Sequence, residues 1–178
     1  YGGTMNNKVV YNAYHAFLKN GFSVCRFNFR GVGKSEGKFD NGLGELSDAA
    51  AALDFIQRNN SNSNESWVVG FSFGALISMQ LLMRRPEIFR FISISPQPNI
   101  FDFNFLAPCP TSGLVIHGDQ DQLVPNDTML VLKEKLVSQK NITVDFNLIK
   151  GANHFFTNKE KDLIESINSY IKKESRLF

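Results

Sequence analysis

Ser72 lies in Gly70-Phe71-Ser72-Phe73-Gly74, a G-x-S-x-G pentapeptide set between an apolar run at residues 67–71 and a stretch of helical character at 74–84. A serine hydroxyl is a weak nucleophile at neutral pH, and a base must take its proton before it can attack a carbonyl. A sharp turn from strand to helix lifts that hydroxyl above the sheet and puts it at a helix N-terminus, where unpaired N–H groups favour developing negative charge. The Phe73 N–H then becomes a candidate oxyanion donor. Gly70 and Gly74 are expected to let strand and helix approach without Cβ clashes. Two further segments carry the remaining chemistry: His117-Gly118-Asp119-Gln120-Asp121 follows the apolar run 114–116, and Gly151-Ala152-Asn153-His154 follows a run at 142–149. An imidazole that accepts the serine proton needs a carboxylate to fix its tautomer and to stabilise the imidazolium. His154 stands where such a base is needed, past a strand end, with an aspartate of the 117–121 segment as partner. His15, on a helix, and His117, at a strand end, read as structural.

The elements that must position these residues follow from periodicity. Residues 7–19 place Val9, Val10, Ala13, Tyr14 and Phe17 at helical spacing, with a stop at Asn20-Gly21. Residues 22–29, reading FSVCRFNF, predict a strand, and the glycine-rich 31–44 a long turn. A second helix over 43–57 ends at the Asn/Ser tract 59–64. Strands are predicted at 67–71, 91–94, 113–116 and 142–149, with helices over 74–84 and 128–138 and an amphipathic helix carrying Leu163, Ile164, Ile167, Tyr170 and Ile171. Strands alternating with helices predict an α/β fold, a mainly parallel sheet covered on both faces, with its site at the carboxyl ends of the strands.

A length of 178 residues suits a single domain over 1–178, and 43% hydrophobic with 20% charged residues suits a globular chain. Nineteen basic residues oppose seventeen acidic ones, giving a net charge of +2 without a basic stripe, so nucleic acid is not an expected partner. The uncharged run 66–83 reads as a buried strand feeding a buried helix, not as a membrane span. Cys25 and Cys109 have no ligand spacing, so neither a metal site nor a cofactor is expected; two free thiols suit a reducing, cytoplasmic setting. The expected partner is a small-molecule substrate. Oligomeric state has no signal in the sequence.

VCRFNFRGVGKSEG, VVGFSFG, HGDQDQLVP and GANHFF together resemble the α/β-hydrolase superfamily, in particular small bacterial hydrolases near the dienelactone hydrolases. The order serine, acid, histidine is the one that fold uses. The resemblance implies that the acid is the second aspartate of a G-x-x-D-x-x-V-P-like turn, which is Asp121, with Asp119 a loop residue. Ser72, Asp121 and His154 then form a catalytic triad. It implies a second oxyanion donor near Gly2-Gly3-Thr4, with Tyr1 the candidate beside Phe73. It also makes Arg30-Gly31-x-Gly33-x-Ser35 a structural turn and places a further central strand ahead of Gly2, so that the chain is expected to be a fragment lacking N-terminal strands. The dienelactone substrate itself does not carry over, because that group uses a cysteine where this elbow holds Ser72.

The implied function is a carboxylesterase-like serine hydrolase acting on small esters or thioesters. Two other classes are open to this sequence: a binding protein that keeps the fold without chemistry, and, much less favoured, a nucleotide-binding P-loop protein. Gly31-Val32-Gly33-Lys34-Ser35 supplies only half of a P-loop, since the first glycine would fall on Asn28 and no helix follows Ser35. The proline-rich 96–112 leaves no room for a large lid. Phe101 and Phe103 in that loop, and Phe155 beside His154, are candidates for an apolar substrate pocket.

Overall fold

A computed structural model describes residues 3–175. Helix α1 spans Lys8–Lys19 and starts on Asn7, whose side chain accepts the Val9 N–H at 2.9 Å. Helix α2 covers Leu43–Arg58, and Glu45 in its first turn accepts the Asp40 and Gly42 N–H groups, both at 2.8 Å. Then come strand β1 (Ser66–Phe71), helix α3 (Phe73–Leu82), strand β2 (Ile88–Ile94), a 3₁₀ turn at Asn104–Leu106, strand β3 (Gly113–Gly118), helix α4 (Asn126–Val137), strand β4 (Val144–Ile149) and helix α5 (Glu160–Glu174).

The four strands lie in the order β1-β2-β3-β4, all parallel. Alternation along each strand sends side chains to two cores. Phe91 and Val115 join Leu46, Leu53, Leu76, Ile77, Met79, Met129 and Leu132 from α2, α3 and α4 on one face. Ile92, Ile94, Leu114 and Ile116 join Val9, Phe17, Leu163, Ile167 and Ile171 from α1 and α5 on the other. Because α3 is buried nearly all round, it locks to the sheet whatever its rotation and fixes the turn that precedes it.

The strand predicted at residues 22–29 is not found. That segment has no ladder hydrogen bonds in the described structure, and β1 pairs only with β2. Aromatic and β-branched residues favour extended backbone, but a strand also needs a neighbour about 4.8 Å away to pair with. Side chains anchor the segment instead. The Phe22 ring packs edge-on to Phe17 and Trp67 at 5.0 and 5.6 Å, and Arg26 donates to the Met5 carbonyl at 2.8 Å. Arg30 grips Asp48 through Nε and Nη2 at 3.0 and 2.7 Å. No helix among the described residues is long and apolar enough to cross a membrane.

Candidate active site

The turn between β1 and α3 is as sharp as the pentapeptide implies. Ser72 adopts φ 54° and ψ −118°, a strained conformation for a residue with a Cβ. Its N–H donates to the Ile94 carbonyl at 2.9 Å and its carbonyl accepts the Ala75 N–H at 3.0 Å, so sheet and helix both hold the strained residue. Gly70 is required by close approach: a Cβ there would lie 2.3 Å from the Gly74 carbonyl oxygen and 2.6 Å from the Ala75 Cα. Gly74 does not share that role, since a Cβ on it would meet nothing within 4 Å among the described residues. Phe73 opens α3, so its N–H has no carbonyl one turn back and is free to donate toward Ser72.

Asp121 and His154 reach the same point from loops that continue β3 and β4. His154 Nε2 lies 3.0 Å from Ser72 Oγ, and His154 Nδ1 lies 2.7 Å from Asp121 Oδ2. The second carboxylate oxygen, Oδ1, accepts the Leu123 and Val124 N–H groups at 2.8 and 3.0 Å. The Asp121 side chain is shut off from solvent and that of His154 is nearly so. Burial alone would push the Asp121 carboxyl up; the hydrogen bond and charge of His154, with the two backbone N–H groups, outweigh it and hold the acid below its ordinary range. An ionised carboxylate held by three hydrogen bonds behind an imidazole, with a hydroxyl in front, is an arrangement able to draw a proton from Ser72 and keep the resulting imidazolium in place.

Three residues without an assigned chemical role shape these two loops. Gly118 lets them touch: a Cβ there would sit 2.3 Å from the Ala152 carbonyl oxygen. Asp119, read only as a loop residue, accepts the Gly151 N–H at 2.6 Å and so ties the acid loop to the histidine loop. Asn153 turns the chain at His154 by accepting the Phe155 and Thr157 N–H groups at 3.1 and 3.0 Å. An Asn placed just before a candidate base, in a glycine-opened loop, was the available signal.

The pocket candidates separate. Phe155 is half exposed, with its ring 5.1 Å from His154 and 5.9 Å from Phe71. Phe101 lies 5.9 Å from Phe73, which also meets Phe29 and Phe39 at 5.7 Å. Phe103 instead belongs to the core, buried and stacked on Phe105 at 5.9 Å, because the 3₁₀ turn that follows it folds the loop back over α4. Between β2 and β3 that turn is the one helical element, so no helical lid is built there. Tyr1 lies outside the described residues. Ser35 Oγ donates to the Asn28 carbonyl at 2.9 Å, and Gly31 and Gly33 have φ of 73° and 61°, a packed turn with no helix behind it to hold a phosphate. No group of metal-ligating side chains occurs among the described residues.

Four parallel strands, a strained serine between β1 and α3, and loops meeting past β3 and β4 define an α/β-hydrolase fold. The chain belongs to the serine aminopeptidase S33 family, whose sequence pattern matches residues 2–109. It is 52% identical over 175 residues to the uncharacterized protein RP471 of Rickettsia prowazekii, covering 96% of this chain and 74% of that one. A crystal structure of the Agrobacterium tumefaciens protein ATU1826 superposes with a TM-score of 0.93 at 53% identity, over 97% of this chain and 79% of the other. XC6422 of Xanthomonas campestris, described as an α/β serine hydrolase without a lid, follows at 35% identity and a TM-score of 0.86, over 97% and 76% of the two chains.

Proposed function

We propose that this hydrolase-family chain cleaves small ester or thioester substrates through an acyl-enzyme, with Ser72 as nucleophile, His154 as general base and Asp121 as the acid that orients it. One observation carries the reading: a single imidazole bridges Ser72 Oγ at 3.0 Å and the Asp121 carboxylate at 2.7 Å. As Ser72 Oγ attacks the carbonyl carbon, its proton passes to His154 Nε2, and the carbonyl oxygen becomes an oxyanion facing the Phe73 N–H. Collapse of that intermediate expels the alkoxide or thiolate, which leaves with the proton from His154. Water then repeats the sequence on the acyl-enzyme, with His154 taking its proton, and the acid is released with Ser72 restored.

The family description names an aminopeptidase, but the side chains around Ser72 favour an ester. Phe155 packs against Phe71 and His154, and Phe101 against Phe73, aromatic surroundings that suit an apolar acyl chain. Short-chain p-nitrophenyl esters, their thioester analogues and an aminoacyl anilide, assayed side by side, test the bond type. A fluorophosphonate probe should label wild type at Ser72 and leave Ser72→Ala unlabelled, and the substitution should lower kcat by about 10⁴-fold or more. Ester turnover that survives Ser72→Ala would remove the nucleophile assignment, and an unlabelled wild type would favour a binding protein built on the same fold.

A further inference from the structure

His117 has no part in the chemistry above, yet it occupies a costly position. It lies on β3, fully buried, and neither ring nitrogen makes a hydrogen bond of ordinary geometry within the described structure. Its Nδ1 is 3.7 Å from Asp121 Oδ2, the same oxygen that meets His154 Nδ1 at 2.7 Å. His117 and Ser95 each stand one step past the last paired residues of β2 and β3, Ile94 and Ile116. Ser95 is also buried, has a left-handed φ of 44°, and lacks a partner for its hydroxyl. An imidazole that only filled space would be replaced at a gain by an apolar side chain, since burying polar atoms unpaired costs free energy.

We propose that His117 is a positioning residue for the acid: a neutral imidazole that directs its Nδ1–H at Asp121 Oδ2 and keeps the carboxylate where it orients His154. The inference rests on the triad reading. At 3.7 Å the contact is too long for a hydrogen bond, so it acts as an N–H dipole facing a negative charge, strengthened by the low dielectric of the interior. This role requires the Nδ1–H tautomer, because an Nε2–H ring would turn the Nδ1 lone pair toward the carboxylate. Burial keeps the ring neutral against the pull of Asp121, with Asn126 and the Val124 backbone also favouring its protonated form. Asp121 and His154 are the charged or titratable groups that act on it. On the same face of the sheet α3 has no ionisable side chain, β2 presents Phe91 and Ser93, and the first turn of α4 carries an exposed Asp127.

Because the dipole stabilises the Asp121 charge, it also moderates the pull of that charge on the His154 proton. Removing it should make His154 more basic. His117→Leu should therefore move the acidic limb of kcat/KM, and the His154 titration followed by NMR, to higher pH. It should also lower kcat about tenfold, the usual scale for a supporting residue. His117→Asn, whose Nδ2–H replaces the Nδ1–H, should keep both titrations near wild type, which a space-filling role does not require. In wild type the ¹⁵N shifts should report a neutral Nδ1–H ring for His117 at neutral pH. An Nε2–H tautomer in wild type overturns the proposal even if His117→Leu fails to fold, and so does an unshifted His154 titration in a folded His117→Leu. A chain without hydrolase activity in which both NMR results hold would sink the triad reading while leaving the coupling of His117, Asp121 and His154 intact.

Discussion

On the β3 and β4 flank of Ser72, the loops that carry Asp121 and His154 continue paired strands and are tied to each other through Asp119 and Gly151. On the opposite flank, residues 22–42 join no ladder and are held by side chains: Arg30 on Asp48, Ser35 on the Asn28 carbonyl, and Phe29 and Phe39 against Phe73. Backbone ladders fix position in steps set by covalent geometry, whereas ring contacts and surface ion pairs yield at small cost. Asp121 and His154 are therefore preset by the sheet.

The largest test of this contrast is to change the acid and its neighbour separately. Asp121→Asn should lower kcat by about 10³- to 10⁴-fold, because an amide in that place leaves His154 in the wrong tautomer. Asp119→Asn keeps an acceptor for the Gly151 N–H and touches His154 nowhere, so its loss should be under about tenfold. Steady-state ester kinetics on the two variants decide it, and a larger loss for Asp119→Asn would put the acid two residues earlier.

A smaller effect is expected where the two loops touch. Gly118→Ala would press a methyl onto the Ala152 backbone, at 2.3 Å from its oxygen and 2.7 Å from its carbonyl carbon. Backbone cannot rotate away as a side chain does, so the histidine loop must move. The expected cost is about 1–3 kcal/mol of stability, with kcat down by about 10²-fold if His154 shifts by an ångström. Gly74→Ala is the control for stability: its Cβ meets open space in a helix, where alanine is favoured over glycine by about 0.5–1 kcal/mol. Urea unfolding of both variants would show whether close approach is confined to the tied flank.

The sequence made the positions of Ser72 and His154 readable because each lies where an apolar run breaks at glycine, and such breaks mark strand ends whatever packs around them. The helices were legible through their spacing: Val9, Ala13 and Phe17 mark the buried face of α1, and the uncharged run into α3 announces its burial. Residues 22–29 misled because composition reports what backbone a segment prefers, not whether a partner strand adjoins it. Phe103 was placed in the pocket by its nearness in sequence to Phe101, and side-chain direction in an irregular loop has no period to read. The tie of Asp119 to Gly151 and the contact of Gly118 with Ala152 join residues more than thirty positions apart, and neither partner's type reveals the other.

The smallest expected effect separates the flanks by pH. Asp121 on the tied flank and Asp48 on the other both have acids held below their ordinary range, Asp121 by His154 and its backbone donors against burial, Asp48 by Arg30. Each contributes stability that is present above the unfolded carboxyl value of about 3.9 and is lost as pH falls through the lower native value, so both flanks weaken together only in strong acid. His117 adds a response that belongs to one flank alone. Burial holds its native pKa below the unfolded value of about 6.5, so as pH falls past that point the unfolded chain takes up a proton that the native chain refuses. Stability must then decline as pH drops from about 6.5 and level off below the native value, at a slope of at most about 1.4 kcal/mol per pH unit for one proton. Urea midpoints measured from about pH 7 to 4.5 should show this decline in wild type. His117→Asn, with nothing to titrate at that position, should flatten it, while Asp48→Asn should leave the slope in this window unchanged. A wild-type slope that persists in His117→Asn would mean that another group, and not this buried imidazole, couples the tied flank to pH.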